Sequence, residues 1–285
     1  MAKDLIISIG EIVWDQFPNR SVLGGAPLNV GYHLQARDLS VLVASRIGAD
    51  AQGRKTLARL HDIGLAVDAI QIDDHLPTGR VLVSMDGNNE PHFEIEKPAA
   101  WDHIQAAGVE NVVANQSFHL VCGTLAQRDK ESRQTIRRLW QQATTIFYDV
   151  NLRPPDTPLD HVRASLIAAQ VVKVNREELA ILNQALVGAG GREEEVAAAL
   201  LAAFDLKLLA VTRGSEGALL INSDGYHTHP GFKIIVADTV GSGDAFFSGI
   251  IAGYLTGADL KNCLEEANRL GAYVASRSGA TPDYP

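Results

Sequence analysis

Short, continuously apolar runs recur along this chain, and each is followed by a stretch with helical periodicity. No other feature restricts the fold as much. LIISIG (5–10), VLVASRIG (41–48), FHLVCG (118–123), TTIFYDV (144–150), VVKVN (171–175) and LLAVTRG (208–214) have the length of buried strands. Helical stretches stand near 27–37, 51–61, 130–142, from 176 onward and at 193–204. Strands that are apolar throughout must be covered on both faces, and parallel strands need the crossovers that helices supply. The expectation is a three-layer α/β/α fold around a mainly parallel sheet. With 285 residues and no linker, internal repeat or low-complexity tract, residues 1–285 are expected to form one domain.

Two stretches break the rhythm. Residues 78–98, TGRVLVSMDGNNEPHFEIEKP, read as two strands around the turn Gly87-Asn88-Asn89, and His92-Phe93-Glu94-Ile95-Glu96 alternates in polarity. Residues 11–23, EIVWDQFPNRSVL, also look extended. Together they are expected to form a small β-lid outside the main sheet, the alternative being a solvated hairpin with no role. Residues 156–160, 187–191 and 225–230 read as surface loops.

A net charge of −9 repels nucleic-acid phosphates and argues against a DNA or RNA partner. It leaves room for a nucleotide, whose phosphates can be held locally by backbone N–H groups and a metal ion. A bilayer span needs ~20 apolar residues in a row, and no such run occurs. The opening MAKDLIISIGE lacks a signal peptide's long apolar region and cleavage site, and reads as a first strand. Cys122 and Cys263 sit far apart among apolar neighbours with no zinc-ligand spacing, so buried free thiols and a cytoplasmic location are expected.

The strongest chemical signal is Asp238-Thr239-Val240-Gly241-Ser242-Gly243-Asp244 running into the apolar helix AFFSGIIAGYL (245–255). The N–H groups of Gly241, Ser242, Gly243 and the first helical residues lack intrahelical partners there, and the helix dipole is positive at that end. Such a turn suits the charge that develops on a transferring phosphoryl group. A carboxylate beside it, Asp244, either caps the helix or accepts the proton of an attacking hydroxyl. GADAQGRKT (48–56) only imitates a P-loop, because Arg54 stands where the lysine should follow the second glycine. GSGDAF is not a dinucleotide fingerprint, since Phe246 takes the third glycine position. His227 and His229 have no third ligand near in sequence and read as solvated.

Four motifs in order along the chain resemble the ribokinase-like carbohydrate kinases, the phosphofructokinase B type. They are Gly24-Gly25-Ala26-Pro27-Leu28-Asn29-Val30, Asn175-Arg176-Glu177-Glu178, Thr212-Arg213-Gly214-Ser215-Glu216-Gly217 and the segment from Asp238 to Asp244. GEIVWDQFPN, YDVNLRPP (148–155) and EKPAAWDHI (96–104) are similar to bacterial fructokinases. The resemblance implies a ribokinase-like fold and an ATP-dependent kinase for a sugar, fructose first. Another sugar, a sugar acid such as 2-keto-3-deoxygluconate, or a non-catalytic sugar sensor is the alternative. It implies Asp244 as base beside the amides of Gly241, Ser242 and Gly243. Asp15, Gly24, Gly25, Asn29, Phe93 and Arg153 would meet the sugar. Asn175, Thr212, Gly214, Gly217 and Asn268 would meet ATP. Glu178 would hold Mg2+ through water, and Asp238, Val240 and the segment 277–280 would lie beside a K+ ion. The resemblance also allows a homodimer through the lid.

Overall fold

A computed structural model describes residues 5–17, 20–85, 91–114 and 116–284, with side chains omitted at 84, 85 and 91–93. In chain order the strands are β1 (Leu5–Ile9), β2 (Val13–Phe17), β3 (Arg20–Gly24), β4 (Val41–Gly48), β5 (Ile70–Asp73), β6 (Gly79–Met85) and β7 (Pro91–Ile95). They continue as β8 (Phe118–Gly123), β9 (Ile146–Asp149), β10 (Val171–Asn175), β11 (Leu208–Thr212), β12 (Ala218–Asn222) and β13 (Gly225–His229). Among the described residues they make a nine-stranded sheet, β13-β12-β11-β10-β9-β8-β1-β4-β5, and a four-stranded one, β3-β2-β6-β7.

Seven strands of the large sheet run parallel, and β12 and β13 close one edge antiparallel. Residues next to each other on a strand face opposite layers. Ile6 packs with Val30 and Leu34 of α1 (Ala26–Gln35) and with Phe247. Ile7 and Ile9 pack on the other side, the side of α3 (Ala106–Val113), α4 (Lys130–Trp140), α5 (Leu159–Ala168), α6 (Arg176–Leu182) and α7 (Glu193–Ala203). The first layer also holds α2 (Ala51–Asp62), α8 (Ser242–Thr256) and α9 (Leu260–Ala275). Each fully buried Ile or Leu stabilises by ~1.5–3 kcal/mol, which is why these strands show no polar alternation. The three-layer α/β/α fold expected from the sequence is the fold observed.

The smaller sheet follows the other rule. Val13, Val81 and Val83 pack inward with Trp101 and Leu125, while Leu82, between two of them, is 40% exposed. Both stretches expected to be extended outside the main sheet, 11–23 and 78–98, supply its strands; the turn Gly87-Asn88-Asn89 lies outside the described residues. The indole N–H of Trp14 donates to Thr56 Oγ1 at 3.0 Å and ties this sheet to α2.

One expectation is corrected at the sheet edge. Residues 225–230 are not a loop: Gly225–His229 is strand β13, paired so that His227 faces Leu220 and His229 faces Ala218. Those partners belong to a core layer, so the histidines are half-buried and Tyr226 and Thr228 take the exposed side. An edge strand with one covered face tolerates polar residues, so GYHTH gives no apolar run to read. Among the described residues no helix is long and apolar enough to cross a membrane.

Candidate active site

The order of the large sheet turns at β1, which has β4 and β5 on one side and β8 onward on the other. At such a switch point the connections leave to opposite faces and open a crevice beyond the carboxyl ends of the strands. Glu11, Pro27, Gly123, Thr124, Asp149 and Asn151 line a pocket there. The smaller sheet begins two residues past Glu11, so the chain itself carries that sheet to the mouth of the crevice.

Helix α8 points its amino end at this place. Gly241 is its N-cap in the left-handed region, φ 78°, and a Cβ there would stand 2.5 Å from the Cβ of Ala280. The N–H groups of Gly243 and Asp244 make no hydrogen bond among the described residues, and so face the crevice end of the helix dipole unpaired. Ser242 differs from the expectation. Its N–H turns back to Thr239 O at 3.3 Å and its hydroxyl donates to the same oxygen at 2.8 Å, because the tight turn brings that carbonyl beneath it.

Asp244 is not a plain cap. Its Oδ2 accepts a hydrogen bond from Asn29 Nδ2 of α1 at 2.7 Å, across 215 residues of sequence. Among the described residues Asn29 Oδ1, which is buried, has no partner, and this leaves an acceptor open beside the carboxylate. Burial raises the Asp244 pKa, while Asn29, Lys173 and Arg153 pull it back. Lys173, 8% exposed, lies beneath the same turn: a Cβ on Gly243 would stand 3.4 Å from its ammonium. Its Nζ donates to both oxygens of Asp149, at 3.0 and 3.1 Å. Burial works against the ammonium, and Asp149, Glu178 and Asp244 outweigh it, so the Lys173 pKa is raised. Burial also lifts Asp149, to about 6, with Lys173 offsetting part of the rise. Glu11, 4% exposed, is pushed up to about 7 by burial and, less, by Asp244; its Oε2 has no partner among the described residues.

The residues expected to meet a sugar gather around that pair. Gly25 is the N-cap of α1 at φ 120°, and a Cβ there would stand 2.3 Å from Glu11 O, so only glycine fits. Gly24 closes β3 opposite Val13, and Asp15 Oδ2 reaches within 3.4 Å of where its Cβ would be. Burial alone raises the Asp15 carboxyl to about 6. Arg153 is exposed, donates to Leu152 O at 2.8 Å, and lowers the pKa of both Glu11 and Asp244. Phe93 pairs with Val83 in the ladder, and its side chain lies outside what is described.

On the other flank, Asn175 and Glu178 make a reciprocal capping box. Glu178 N–H donates to Asn175 Oδ1 and Asn175 N–H to Glu178 Oε2, each at 2.8 Å. Leu152 N–H donates to Glu178 Oε1 at 2.8 Å, so the cap also fastens the loop carrying Arg153. Thr212 ends β11 next to Asn175 in register, and Gly214 follows on the surface. Gly217 is buried and packs its backbone on residues 229–231, and Asn268 donates to Leu264 O within α9 at 2.8 Å. Asp238 accepts from Val240 N–H at 3.0 Å and Gly279 N–H at 3.2 Å, tying the turn to the 277–280 segment. Among the described residues no group of three or more metal-ligating side chains gathers. The P-loop imitation is closed by its own acid, since Asp50 caps α2 through Gly53 N–H at 2.7 Å.

Sequence reasoning missed Lys173, Asp149 and Glu11. Their signal was a charge inside or just beyond an otherwise apolar strand, VVKVN, IFYD and LIISIGE, where an ion is buried only with a purpose or a partner.

Comparisons with known proteins agree with this geometry. The pfkB family carbohydrate kinase profile matches residues 8–285. The chain is 30% identical over 264 residues to the ATP-dependent ribose-1-phosphate kinase of Halopiger xanaduensis, covering 90% of this chain and 81% of that one. It is 27% identical to the fructokinase of Vibrio alginolyticus, covering 92% and 88%. A crystal structure of Vibrio cholerae fructokinase with fructose, ADP and calcium has the same fold, with a TM-score of 0.84, 24% identity and coverage of 99% and 96%.

Proposed function

The chain belongs to the pfkB family of carbohydrate kinases, and on that premise we propose that it transfers the γ-phosphoryl group of ATP to a hydroxyl of fructose. The observation that carries this reading is the 2.7 Å bond from Asn29 to Asp244, which joins the helix of the sugar side to the helix of the anion turn. The hydroxyl oxygen attacks phosphorus in line, its proton passes to an Asp244 oxygen, and the bond to ADP breaks. The unpaired amides of Gly243 and Asp244, with Gly241, receive the equatorial oxygens, and Lys173 beneath them adds a fixed positive charge. Asn29 holds the carboxylate toward the hydroxyl, and Asp15, Gly24, Gly25 and Arg153 hold the sugar. Thr212 and Gly214 lie along the nucleotide.

Glu178 fits a magnesium site reached through water: it is 4% exposed and both oxygens accept backbone N–H bonds, which orients the carboxyl group and leaves lone pairs for metal-bound water. Magnesium would neutralise charge between the two terminal phosphates. Potassium beside Asp238 and the 277–280 segment belongs to the same proposal.

On the acceptor side Asp15 and Asp244 stand against Arg153, while Lys173 is already paired with Asp149, so there is no surplus of positive charge to attract a sugar phosphate or sugar acid, and a neutral sugar is favoured. A coupled ATP-turnover panel of ketoses, aldoses, sugar acids, ribose 1-phosphate and nucleosides tests it, run in potassium and in a bulky organic cation. Fructose in potassium should give the highest kcat/KM. An anionic acceptor or a nucleoside ahead by tenfold, about 1.4 kcal/mol, would contradict fructose and leave the kinase intact. Equal turnover in both cations would remove the potassium site.

A further inference from the structure

The segment after α9 returns beneath the anion turn and is held there by a histidine of α1. Ala280, 3% exposed, is the residue against which Gly241 packs. Its carbonyl lies 3.0 Å from His33 Nε2 of α1, and His33 is 0% exposed. A carbonyl only accepts, so Nε2 carries the proton and donates. In the neutral ring Nδ1 is then an acceptor, and the Tyr284 hydroxyl stands 2.7 Å from it and donates. Burial pulls the His33 pKa down to about 4, in keeping with a neutral ring. The Tyr284 ring stacks on Tyr273 at 4.9 Å and 9°, and the Tyr32 hydroxyl donates to Pro282 O at 2.9 Å. One turn earlier on the same face of α1 stands Asn29, whose amide holds Asp244.

Two residues of one helix face thus grip the two sides of the catalytic turn: Asn29 holds its carboxylate and His33 holds the strap behind its glycine. We infer that His33, with its tautomer set by Tyr284, is a positioning residue that fixes the Gly241 turn against α1 through Ala280. The inference rests on reading residues 241–244 as the phosphoryl site.

Three variants of the full chain separate positioning from packing. His33→Leu keeps bulk and loses donor and acceptor; His33→Gln keeps an N–H near the Nε2 position; Tyr284→Phe keeps the stacked ring and loses the hydroxyl. The readouts are hydrogen exchange at the bonded amides of Asp238, Val240, Ser242 and Gly279 and the split between kcat and acceptor KM. In His33→Leu those amides should exchange about tenfold faster and kcat should fall about tenfold, with acceptor KM within twofold, because only the reacting geometry is disturbed. Tyr284→Phe should move both in the same direction by about threefold, and His33→Gln should restore most of each. A lowered Tm with exchange at those amides and kcat both at wild-type values would mean packing alone and would overturn the inference. If His33→Leu does not fold, Tyr284→Phe decides between the same two results. Exchange judges the strap even if Asp244→Asn proves active, so failure of the site reading is told apart from failure of this one.

Discussion

Asp244 and Asp15 are both carboxylates with raised pKa values, yet the two sheets surround them differently. Asp244, at the head of α8, has its burial answered by Asn29 at 2.7 Å and by Lys173 and Arg153. Asp15, on the smaller sheet, has burial as the one cause of its rise to about 6. At Asp244 an amide and two cations oppose the rise that burial imposes, whereas at Asp15 nothing opposes it. A group meant to accept hydroxyl hydrogen bonds from a bound sugar needs only to be ionised at working pH. Under the proposed function these surroundings suit Asp244 to chemistry and Asp15 to binding.

The largest expected effect is at Asp244. Asp244→Asn keeps the shape and loses the basic oxygen, so kcat should fall by ~100- to 10,000-fold in steady-state assays. Next is the buried cation. Lys173→Met removes the charge that helps keep Asp244 ionised, so kcat should fall by about 10- to 100-fold. Lys173 lowers the Asp244 pKa, so its loss must raise it, and the acidic limb of kcat/KM should move to higher pH. An unshifted limb would show that Lys173 only braces Asp149.

The smallest effect is at Asp15, and it is a binding effect. Asp15→Asn should raise the sugar KM by about tenfold with kcat changed less, since the contact exists in ground and transition states alike. In the wild type the same KM should climb as pH falls through about 6, because protonation removes an acceptor. The stability sign runs the other way. The folded pKa lies above the ordinary carboxylate value, so ionised Asp15 destabilises the sugar-free fold at neutral pH, and that cost fades as pH falls through about 6. Asp15→Asn should thus raise the Tm of the sugar-free protein; a lowered Tm would show that the carboxylate has a compensating partner.

How far the sequence discloses this division follows from physical causes. VLVASRIG and FHLVCG are legible as central strands because strands covered on both faces carry no polar alternation. The smaller sheet is legible from the alternation in HFEIE. The edge strand β13 is not, since one covered face and a single pairing partner leave GYHTH free to be polar. Glu178 and Asn175 could be read as a capping box or as site residues, and the bond from Leu152 shows how one pair can serve both. Asp244 was legible because its glycines are adjacent in sequence. The Lys173–Asp149 pair was not, because its members lie on separate strands and only the parallel register of β9 and β10 makes them neighbours. The strap from His33 to Ala280, 247 residues apart, leaves no local signature at all.

The central claim is that Asp244 performs chemistry and does not bind ATP, and it is tested most directly by two numbers from one folded variant. Calorimetry of MgATP binding to Asp244→Asn should give a Kd within about threefold of wild type, because backbone amides and the metal hold the phosphates. The kcat of the same preparation should be lower by at least ~100-fold. A variant that keeps more than about a tenth of wild-type kcat, or one that loses ATP affinity in proportion to kcat, would contradict the base assignment.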